Sequence, residues 1–460
     1  MTKTLTQGKP FLLILQFSLP LIAGNIFQQL YSMADTLIVG RTIGVNALAA
    51  VGCTGGINFL ILGFIGGLTT GLSIITAQKF GSGDTTGVRR SFAVSILIST
   101  VFTVIMTVTA VLITTPLLRL LQTPAEIIAD ADIYLRIVFF GIPAIVLFNL
   151  LSNVIRALGD SRTPLYFLIL TCVINVILDY AFILIFHMGV AGAAVATVLA
   201  QLLSGILCIT FIMKKMPLLH IRREDFHIDS QNIHIHLITA LPMAFQMSII
   251  AIGSLILQFA LNRLGPVSVA AYTAAQKIET IATMPMNSFG TAMATYSAQN
   301  YGAGRIDRIR KGVTQCILLS GSISIILGAV NILVGRQLTA LFVSSRETEV
   351  IRLSHTYLTI TGCCYLILAL LFIYRFTLQG LGKSLVPTLA GAMELIMRTF
   401  SALILAQHFG YVGACLSNPL AWVGACIPLG IAYYVTIRKL HARAAGLDRV
   451  NISSPDSLVP

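Results

Sequence analysis

Long apolar segments recur along the whole chain, and they restrict its fold more than any other feature. Each holds about 20 residues or more, and ~20 residues of helix cross the ~30 Å hydrocarbon core of a bilayer. Hydrophobic residues make up 56% of the 460 residues and charged residues only 10%, against about 25% charged in ordinary soluble domains. We therefore expect an all-α membrane protein whose solvent is mostly lipid.

Charged or Gly/Pro-rich breaks divide the apolar segments into about twelve predicted transmembrane helices, in two sets of six. The first set lies at 12–40, 47–78, 91–118, 133–155, 164–186 and 189–213, and the second at 237–262, 267–298, 313–342, 353–379, 385–407 and 411–437. The predicted domains are an N-terminal six-helix lobe (1–213), a cytoplasmic linker (214–236), a C-terminal six-helix lobe (237–440) and a polar C-terminal tail (441–460).

The two lobes repeat each other in sequence. The segment TAQKFGSGDTTGVRR at 76–90 matches SAQNYGAGRIDRIRK at 297–311, and RALGDSRTP at 156–164 matches LQGLGKSLVP at 378–387. Six spans is an even number, so both lobes have the same orientation and are parallel repeats related by an axis along the membrane normal. Such lobes meet along a central cleft, where a transporter places its substrate and alternates access.

The distribution of lysine and arginine predicts the orientation, because these residues accumulate in the short cytoplasmic loops of membrane proteins. With the N-terminus inside, most cations fall on the cytoplasmic side, and both termini are predicted to be cytoplasmic in a multi-pass protein of the cell membrane. Lys3, Lys79, Arg156, Arg375 and Arg449 are among these cations. The net charge of +13 then requires no nucleic-acid partner, and anionic lipid head groups are its expected neighbours.

Ionisable side chains inside a membrane cost several kcal/mol unless they are paired or face water, which makes them functional candidates. Asp35 and Asp179 fall at similar predicted depths in the first and fifth spans. The repeat places Ile256 or Leu257 opposite Asp35, and residues 400–402 opposite Asp179, so the second lobe has no carboxylate at either position. A purely structural role would be expected to persist in both lobes, so this asymmetry favours a function.

Polar residues accompany both aspartates. Gln28 and Tyr31 share a helical face with Asp35, Asn175 precedes Asp179 by four residues, and Thr197 lies at a comparable depth in the sixth span. Two carboxylates with amide and hydroxyl oxygens suit a small cation, or a proton shared between carboxylates that repel each other.

The second lobe carries its own candidates for lining a substrate cavity. Glu394 and Arg398 are four residues apart and are predicted to neutralise each other on one helix face. Lys277 and Glu279 are two apart, so each needs another partner or water. The remaining candidates, Met284 and Asn287, lie on the same predicted span as Lys277 and Glu279. Methionine is suited to such a cavity because its flexible side chain repacks around varied ligands.

Four segments together resemble the MATE transporter family: QQLYSMADTLIVG, RALGDSRTP, NVILDYAF and AAQKIETIATMPMNSFGTAMATYSAQNYGAG. The resemblance covers roughly residues 10–440. It implies a V-shaped two-lobe fold and antiport, the export of organic cations, often drugs, in exchange for sodium ions or protons. It also implies a monomer with no cofactor and no catalytic residues. Asp35, Asn175, Asp179 and Thr197 match the family's cation-binding positions, including a possible sodium site, with Asn153 as a further member or Asn149 in its place.

Two other functions compete with cation export. A lipid-linked saccharide flippase of the same wider superfamily is the main alternative, although its anionic cargo favours unpaired cations in the cleft. An intramembrane aspartyl protease is a remote one, because residues 157–160 nearly match Gly-x-Gly-Asp but begin with alanine. The GLGKS segment at 380–384 lacks the first glycine of a phosphate loop and is predicted to be a turn.

Overall fold

The computed structural model describes residues 4–226, 229–344 and 346–444, and this part of the chain is helical with no β-strand. The first lobe contains α1 (Pro10–Thr42), α2 (Val45–Cys53), α3 (Gly55–Gly81), α4 (Thr85–Leu120), α5 (Ile128–Phe140), α6 (Ile142–Ala157), α7 (Arg162–Tyr180) and α8 (Gly189–Lys215). The second contains α9 (Ser230–Arg263), α10 (Pro266–Gly302), α11 (Ile306–Ala340), α12 (Thr348–Gly362), α13 (Tyr365–Gly380), α14 (Leu385–Phe400), α15 (Ala406–Cys415) and α16 (Ser417–Ala444). The predicted all-α class is confirmed.

The backbone repeats as the sequence does. Single π-helical turns follow α7 (Ala181–Ile185) and α14 (Ser401–Leu405). The helix pairs α5–α6 and α12–α13 both bend at their junctions, by 47° and 50°. Glycines with positive φ also recur at matching positions, because these turns need a conformation that residues with a Cβ rarely adopt. The matching pairs are Gly44 with Gly265, Gly83 with Gly304, Gly159 with Gly382, and Gly189 with Gly410.

Nearly all the predicted spans reappear as long helices. Within the described residues, nine helical stretches are long and apolar enough to cross a membrane, and the two bent pairs raise the number to eleven. The remaining long helix is α10, at 37 residues. It packs against helices of both lobes, including α1, α3, α11 and α13. Because its neighbours shield it from lipid, α10 needs less apolar surface than the other spans.

The predicted domain limits fall close to helix ends. The helix α8 runs to Lys215 and α9 begins at Ser230, so both margins of the predicted linker are helical. The middle of the linker forms two short 3₁₀ turns, and residues 227–228 lie outside the described part. The predicted tail begins inside α16, and its residues from 445 onward, like Lys3, lie outside the described part as well.

The two lobes touch closely at the end of the helices that carries the linker, which we call the linker end. A Cβ built on Gly81 of α3 would lie 1.9 Å from the carbonyl oxygen of Gln299 on α10. A Cβ built on Gly302 of α10 would lie 1.9 Å from the carbonyl oxygen of Gln78 on α3. The sequence repeat aligns Gly81 with Gly302 and Gln78 with Gln299, so the two contacts are equivalent. Glycine at both positions allows the backbones of α3 and α10 to meet.

Two glutamine side chains tie the lobes together at the same end. The amide of Gln78 donates to the carbonyl of Gly380 (2.8 Å), and the amide of Gln299 donates to the carbonyl of Ala157 (2.7 Å). The Gln299 side-chain oxygen also accepts from the backbone N–H of Leu5 (2.8 Å). The linker end is therefore closed, with the N-terminal segment packed beneath it.

Candidate functional site

The two predicted aspartates lie together in the N-terminal lobe. Asp35 lies on α1 and Asp179 lies one residue before the end of α7, where the π-helical turn begins. Their carboxyl groups lie close enough to influence each other electrostatically. Asp35 is only 7% exposed and Asp179 is fully buried. A π-helical turn changes the direction of side chains locally and is frequent at functional sites, and this one begins just after Tyr180, the neighbour of Asp179.

Amide and hydroxyl groups surround this carboxyl pair. With the Asn175 amide oriented to satisfy both neighbours, its nitrogen donates to Asp179 Oδ2 (3.0 Å) and its oxygen accepts from the Thr197 backbone N–H (3.1 Å). The Tyr31 hydroxyl donates to Thr197 Oγ1 (3.0 Å). The four-residue spacings between Tyr31 and Asp35, and between Asn175 and Asp179, place each pair on one helical face. We call Asp35, Asn175, Asp179 and Thr197 the carboxyl site.

The carboxyl site is acidic and incompletely satisfied. One oxygen of each aspartate, Oδ1 in both cases, is buried without a hydrogen-bond partner. Among the described residues, the groups in contact with the two carboxyls carry no positive charge. Two adjacent carboxylates cannot both stay ionised in a poorly solvated place, so the pair must share a proton or bind another cation. No group of three or more His, Cys, Asp or Glu suited to a metal ion occurs in the described part of the chain.

Tyr134 on α5 is a further member that the sequence did not identify. Its ring is buried, and its hydroxyl lies close enough to interact electrostatically with both aspartates. Tyr31, by contrast, was predicted as a cavity residue and proves to be bonded to the carboxyl site. Tyr134 lies in the middle of α5, and the bend between α5 and α6 was not visible in the sequence, where both helices read as one span.

Other predicted N-terminal-lobe residues lie apart from the carboxyl site or at its edge. Asn153 donates to Thr69 and Thr70 of α3 (3.3 Å each) and accepts from Arg156 (3.1 Å). It therefore makes its hydrogen bonds away from the aspartates. Gln28 is exposed on α1.

Of the predicted cavity residues on α10, only Glu279 is enclosed. Lys277 and Asn287 are exposed and Met284 is partly exposed. The Lys277 Nζ lies 5.9 Å from the ring centre of Phe342, a cation–π contact. Glu279 is buried and accepts a hydrogen bond of 2.6 Å from the Tyr357 hydroxyl on α12.

The predicted pairing of Glu394 with Arg398 is incomplete, because Glu394 has a closer partner in Arg375. Glu394 Oε1 accepts directly from the Arg375 guanidinium, whereas Arg398 lies 3.9 Å from Glu394 Oε2. Arg375 was counted among the cations of the cytoplasmic side and falls within the predicted span 353–379. It lies inside α13 and is only 5% exposed, because the buried Glu394 carboxylate offsets the cost of enclosing it.

The segments that suggested other chemistry form ordinary turns. Asp160 accepts from the backbone N–H groups of Arg162 and Thr163 (3.0 Å each) and from the Thr163 hydroxyl (2.7 Å), so it caps the start of α7. The GLGKS segment turns at Gly382, whose φ is 76°, between α13 and α14. Neither segment brings together the groups of an aspartyl protease or of a phosphate loop.

Comparison with known families and proteins gives consistent matches over the whole membrane part. The MatE family model matches residues 20–181 and 242–404, one stretch in each lobe. The chain is 29% identical over 431 residues to the probable multidrug resistance protein YpnP of Bacillus subtilis, covering 93% of both chains. It is 25% identical to the FAD transporter of Shewanella oneidensis, covering 93% of this chain and 94% of that one.

Solved structures share the fold. A MATE protein crystallised in a bent conformation superposes with a TM-score of 0.89 at 23% identity, covering 96% of this chain and 98% of the other. An outward-facing multidrug resistance MATE family transporter of the MOP superfamily superposes with a TM-score of 0.85 at 24% identity, with 96% and 98% covered. The predicted two-lobe architecture is confirmed by these matches.

Proposed function

The chain belongs to the MatE family of multidrug efflux transporters, and from this premise we propose that it is an antiporter that exports organic cations in exchange for protons or sodium ions. It is a transporter rather than an enzyme. The observation that carries the antiport proposal is the buried pair of Asp35 and Asp179, which has no positively charged partner among the described residues. Such a pair is stable only when it holds a cation.

The carboxyl site couples ion and substrate through this requirement for one positive charge. A proton would bridge the two neighbouring carboxyls. A sodium ion would instead separate them and recruit the unpartnered Oδ1 atoms together with the Asn175 and Thr197 oxygens. An organic cation competes for the same negative charge, so its binding in the cleft and ion binding at this site exclude each other. We infer that this competition drives exchange.

The closed linker end supports alternating access. We assign this end to the cytoplasm from the lysine and arginine distribution, which places the closed contacts between the lobes on the cytoplasmic side. Export then requires the contacts between α3 and α10 to open and re-form in every cycle. The protein would act in the cell membrane as a monomer, with both termini in the cytoplasm and lipid as its neighbour.

A lipid-linked saccharide flippase is less well supported. An anionic pyrophosphate cargo needs exposed and unpaired cations. The two buried arginines of the C-terminal lobe lie on either side of Glu394 instead. The relatives named as multidrug resistance proteins agree better with export of amphiphilic cations than with lipid flipping.

The coupling ion is tested by imposing one gradient at a time in proteoliposomes. If sodium is used, an inward sodium gradient at clamped pH and voltage will accelerate efflux of a cationic dye and produce sodium counterflux. Asn175→Ala and Thr197→Val remove oxygens of the sodium shell, so we expect them to weaken the sodium response by about 10-fold, roughly 1.4 kcal/mol, and the pH response less. If no imposed sodium gradient changes the efflux rate of the dye, the carboxyl site couples export to protons alone.

The orientation is tested by cysteine labelling on a cysteine-free background. Thr42 ends α1 and Ser230 begins α9, so they lie at opposite ends of the helices. In intact cells, an impermeant thiol reagent should label Thr42→Cys and leave Ser230→Cys unlabelled until the membrane is opened. Labelling of Ser230→Cys alone would reverse the topology.

A further inference from the structure

A cavity of about 170 Å³ lies within the C-terminal lobe. Helices α10, α13, α14 and α16 supply its walls, and its lining includes Glu279, Leu368, Phe372, Arg398, Asn418 and Trp422. Pockets for whole drug-sized ligands measure roughly 300–1,000 Å³. This cavity is therefore suited to one end of a substrate, with the rest lying in the cleft.

The cavity contains one acidic and one cationic side chain, and each has a hydrogen-bonding atom without a partner. Glu279 accepts from the Tyr357 hydroxyl through Oε2, while its Oε1 is buried without a partner. Arg398 donates to the backbone oxygen of Ile250 (3.4 Å) and lies 3.9 Å from Glu394 Oε2, while its Nε is buried without a partner. Glu279 and Arg398 are 7% and 8% exposed. A free acceptor and a free donor with opposite charges thus line one small space.

The repeat relates this cavity to the carboxyl site of the other lobe. The matched glycines Gly159 and Gly382 align Tyr134 with Tyr357, and continue to align Asn175 with Arg398. The matched glycines Gly189 and Gly410 likewise align Thr197 with Asn418. Asn418 donates to the Tyr357 hydroxyl (2.8 Å), so the tyrosine remains part of a polar network in both lobes.

The charges of the two related sites differ. Where the N-terminal lobe has two aspartates and an amide, the C-terminal lobe has an arginine in place of Asn175, apolar residues opposite the aspartates, and Glu279 entering from α10. The carboxyl site attracts a lone cation. The C-terminal cavity pairs a negative with a positive group, so it matches a ligand that carries both charges.

We propose that this cavity binds the zwitterionic head group of an amphiphilic substrate, with the ammonium at Glu279 and the carboxylate at Arg398. Trp422 lines the same cavity and adds a cation–π contact to the ammonium. The apolar tail lies against Leu368 and Phe372 towards the cleft. This proposal deepens the proposed export function, because it adds zwitterions to the cationic substrates that the carboxyl site favours.

Trp422 makes the test direct, since it is the only tryptophan in the chain. Its fluorescence in the purified protein, in nanodiscs, reports binding in this cavity without any transport. Three ligands with matched tails are titrated: 2-aminodecanoic acid as the zwitterion, its methyl ester as the cation, and decanoic acid as the anion. We expect the zwitterion to bind at least about 10-fold more tightly than either, roughly 1.4 kcal/mol.

Variants of Arg398 and Glu279 test which charged group of the ligand each side chain binds. Arg398→Gln should bring the affinity for the zwitterion down to that for the ester, and Glu279→Gln should bring it down to that for decanoic acid. Arg398→Lys keeps the charge beside Glu394 while losing the planar fork, so it tests the carboxylate contact if Arg398→Gln fails to fold. Arg352→Gln, an exposed arginine paired with Glu349, is the matched control and should change nothing.

Transport separates this proposal from the antiport proposal. Efflux of labelled 2-aminodecanoic acid should fall at least about 10-fold in Arg398→Lys, while efflux of a simple cationic dye stays within about 2-fold. Equal affinities for the three ligands, or variants that leave the preference intact, would overturn the zwitterion site even if dye export is normal. Absence of all ion-driven export with intact, selective binding would overturn the antiport proposal alone.

Discussion

Replacing Asp35 by asparagine is expected to lower ion-driven export by about 100-fold or more, the effect of roughly 2.7 kcal/mol. The substitution keeps the shape of the side chain and removes the negative charge that obliges the carboxyl site to hold a cation. The new amide can donate to Asp179, so the lobe should insert and fold as before. The measurement is efflux of a cationic dye from inside-out vesicles under an imposed ion gradient, with protein amount and melting temperature recorded in parallel.

The control for Asp35→Asn is Asp84→Asn. Asp84 is exposed and caps α4 by accepting from the Gly87 backbone N–H (2.7 Å), a role that asparagine also fills. Its export should remain near that of the unchanged protein. Asp179→Asn should resemble Asp35→Asn, and the double variant should lose little more than either alone, because both serve one site. Undiminished export by Asp35→Asn would refute the coupling role.

The carboxyl site could be predicted from sequence because membrane burial makes charge rare. Asp35 and Asp179 were conspicuous among apolar residues, and their depths could be counted along each helix at ~1.5 Å per residue. The four-residue spacing to Tyr31 and to Asn175 then assigned the helical faces. What remained open was whether α1 and α7 bring those faces together, which depends on tertiary packing.

The C-terminal lobe was less predictable, because its charges are paired across helices. Glu394 pairs more closely with Arg375 on another helix than with Arg398 on its own. Glu279 bonds to Tyr357, which lies 78 positions away in sequence. Spacing along one helix cannot show such contacts. The low hydropathy of α10 has the same origin, because other helices rather than lipid surround it.

The sequence also does not indicate which of its glycines allow helices to approach closely. Among the many glycines of the chain, Gly81 and Gly302 are the pair whose missing Cβ atoms allow α3 and α10 to touch at the linker end. The repeat pairs them with each other, which makes the contact symmetric between the lobes. Their role follows only from the way the lobes pack.

Gly81→Ala is therefore expected to reduce export by at least about 10-fold, roughly 1.4 kcal/mol, without unfolding either lobe. Gly81 is the last residue of α3, and alanine is tolerated in helices at least as well as glycine, so α3 itself should still form. The added Cβ would lie 1.9 Å from the Gln299 carbonyl oxygen, and neither backbone can give way locally. The lobes must then separate at the linker end, and the closed state becomes the least populated part of the cycle.

Two measurements distinguish this blocked closure from general damage. Ala298→Cys is buried where the lobes meet, so on a cysteine-free background it should react slowly with thiol reagents and much faster once Gly81→Ala is added. Gly66→Ala makes the same substitution on α3, where a Cβ meets nothing within 4 Å, and it should change neither reactivity nor export. Gly302→Ala should reproduce the Gly81→Ala result, because Gly302 makes the equivalent contact from α10 to α3. If Gly81→Ala exported as well as Gly66→Ala, the tight contact between α3 and α10 would not belong to the transport cycle, and closure at the linker end would have to use another surface.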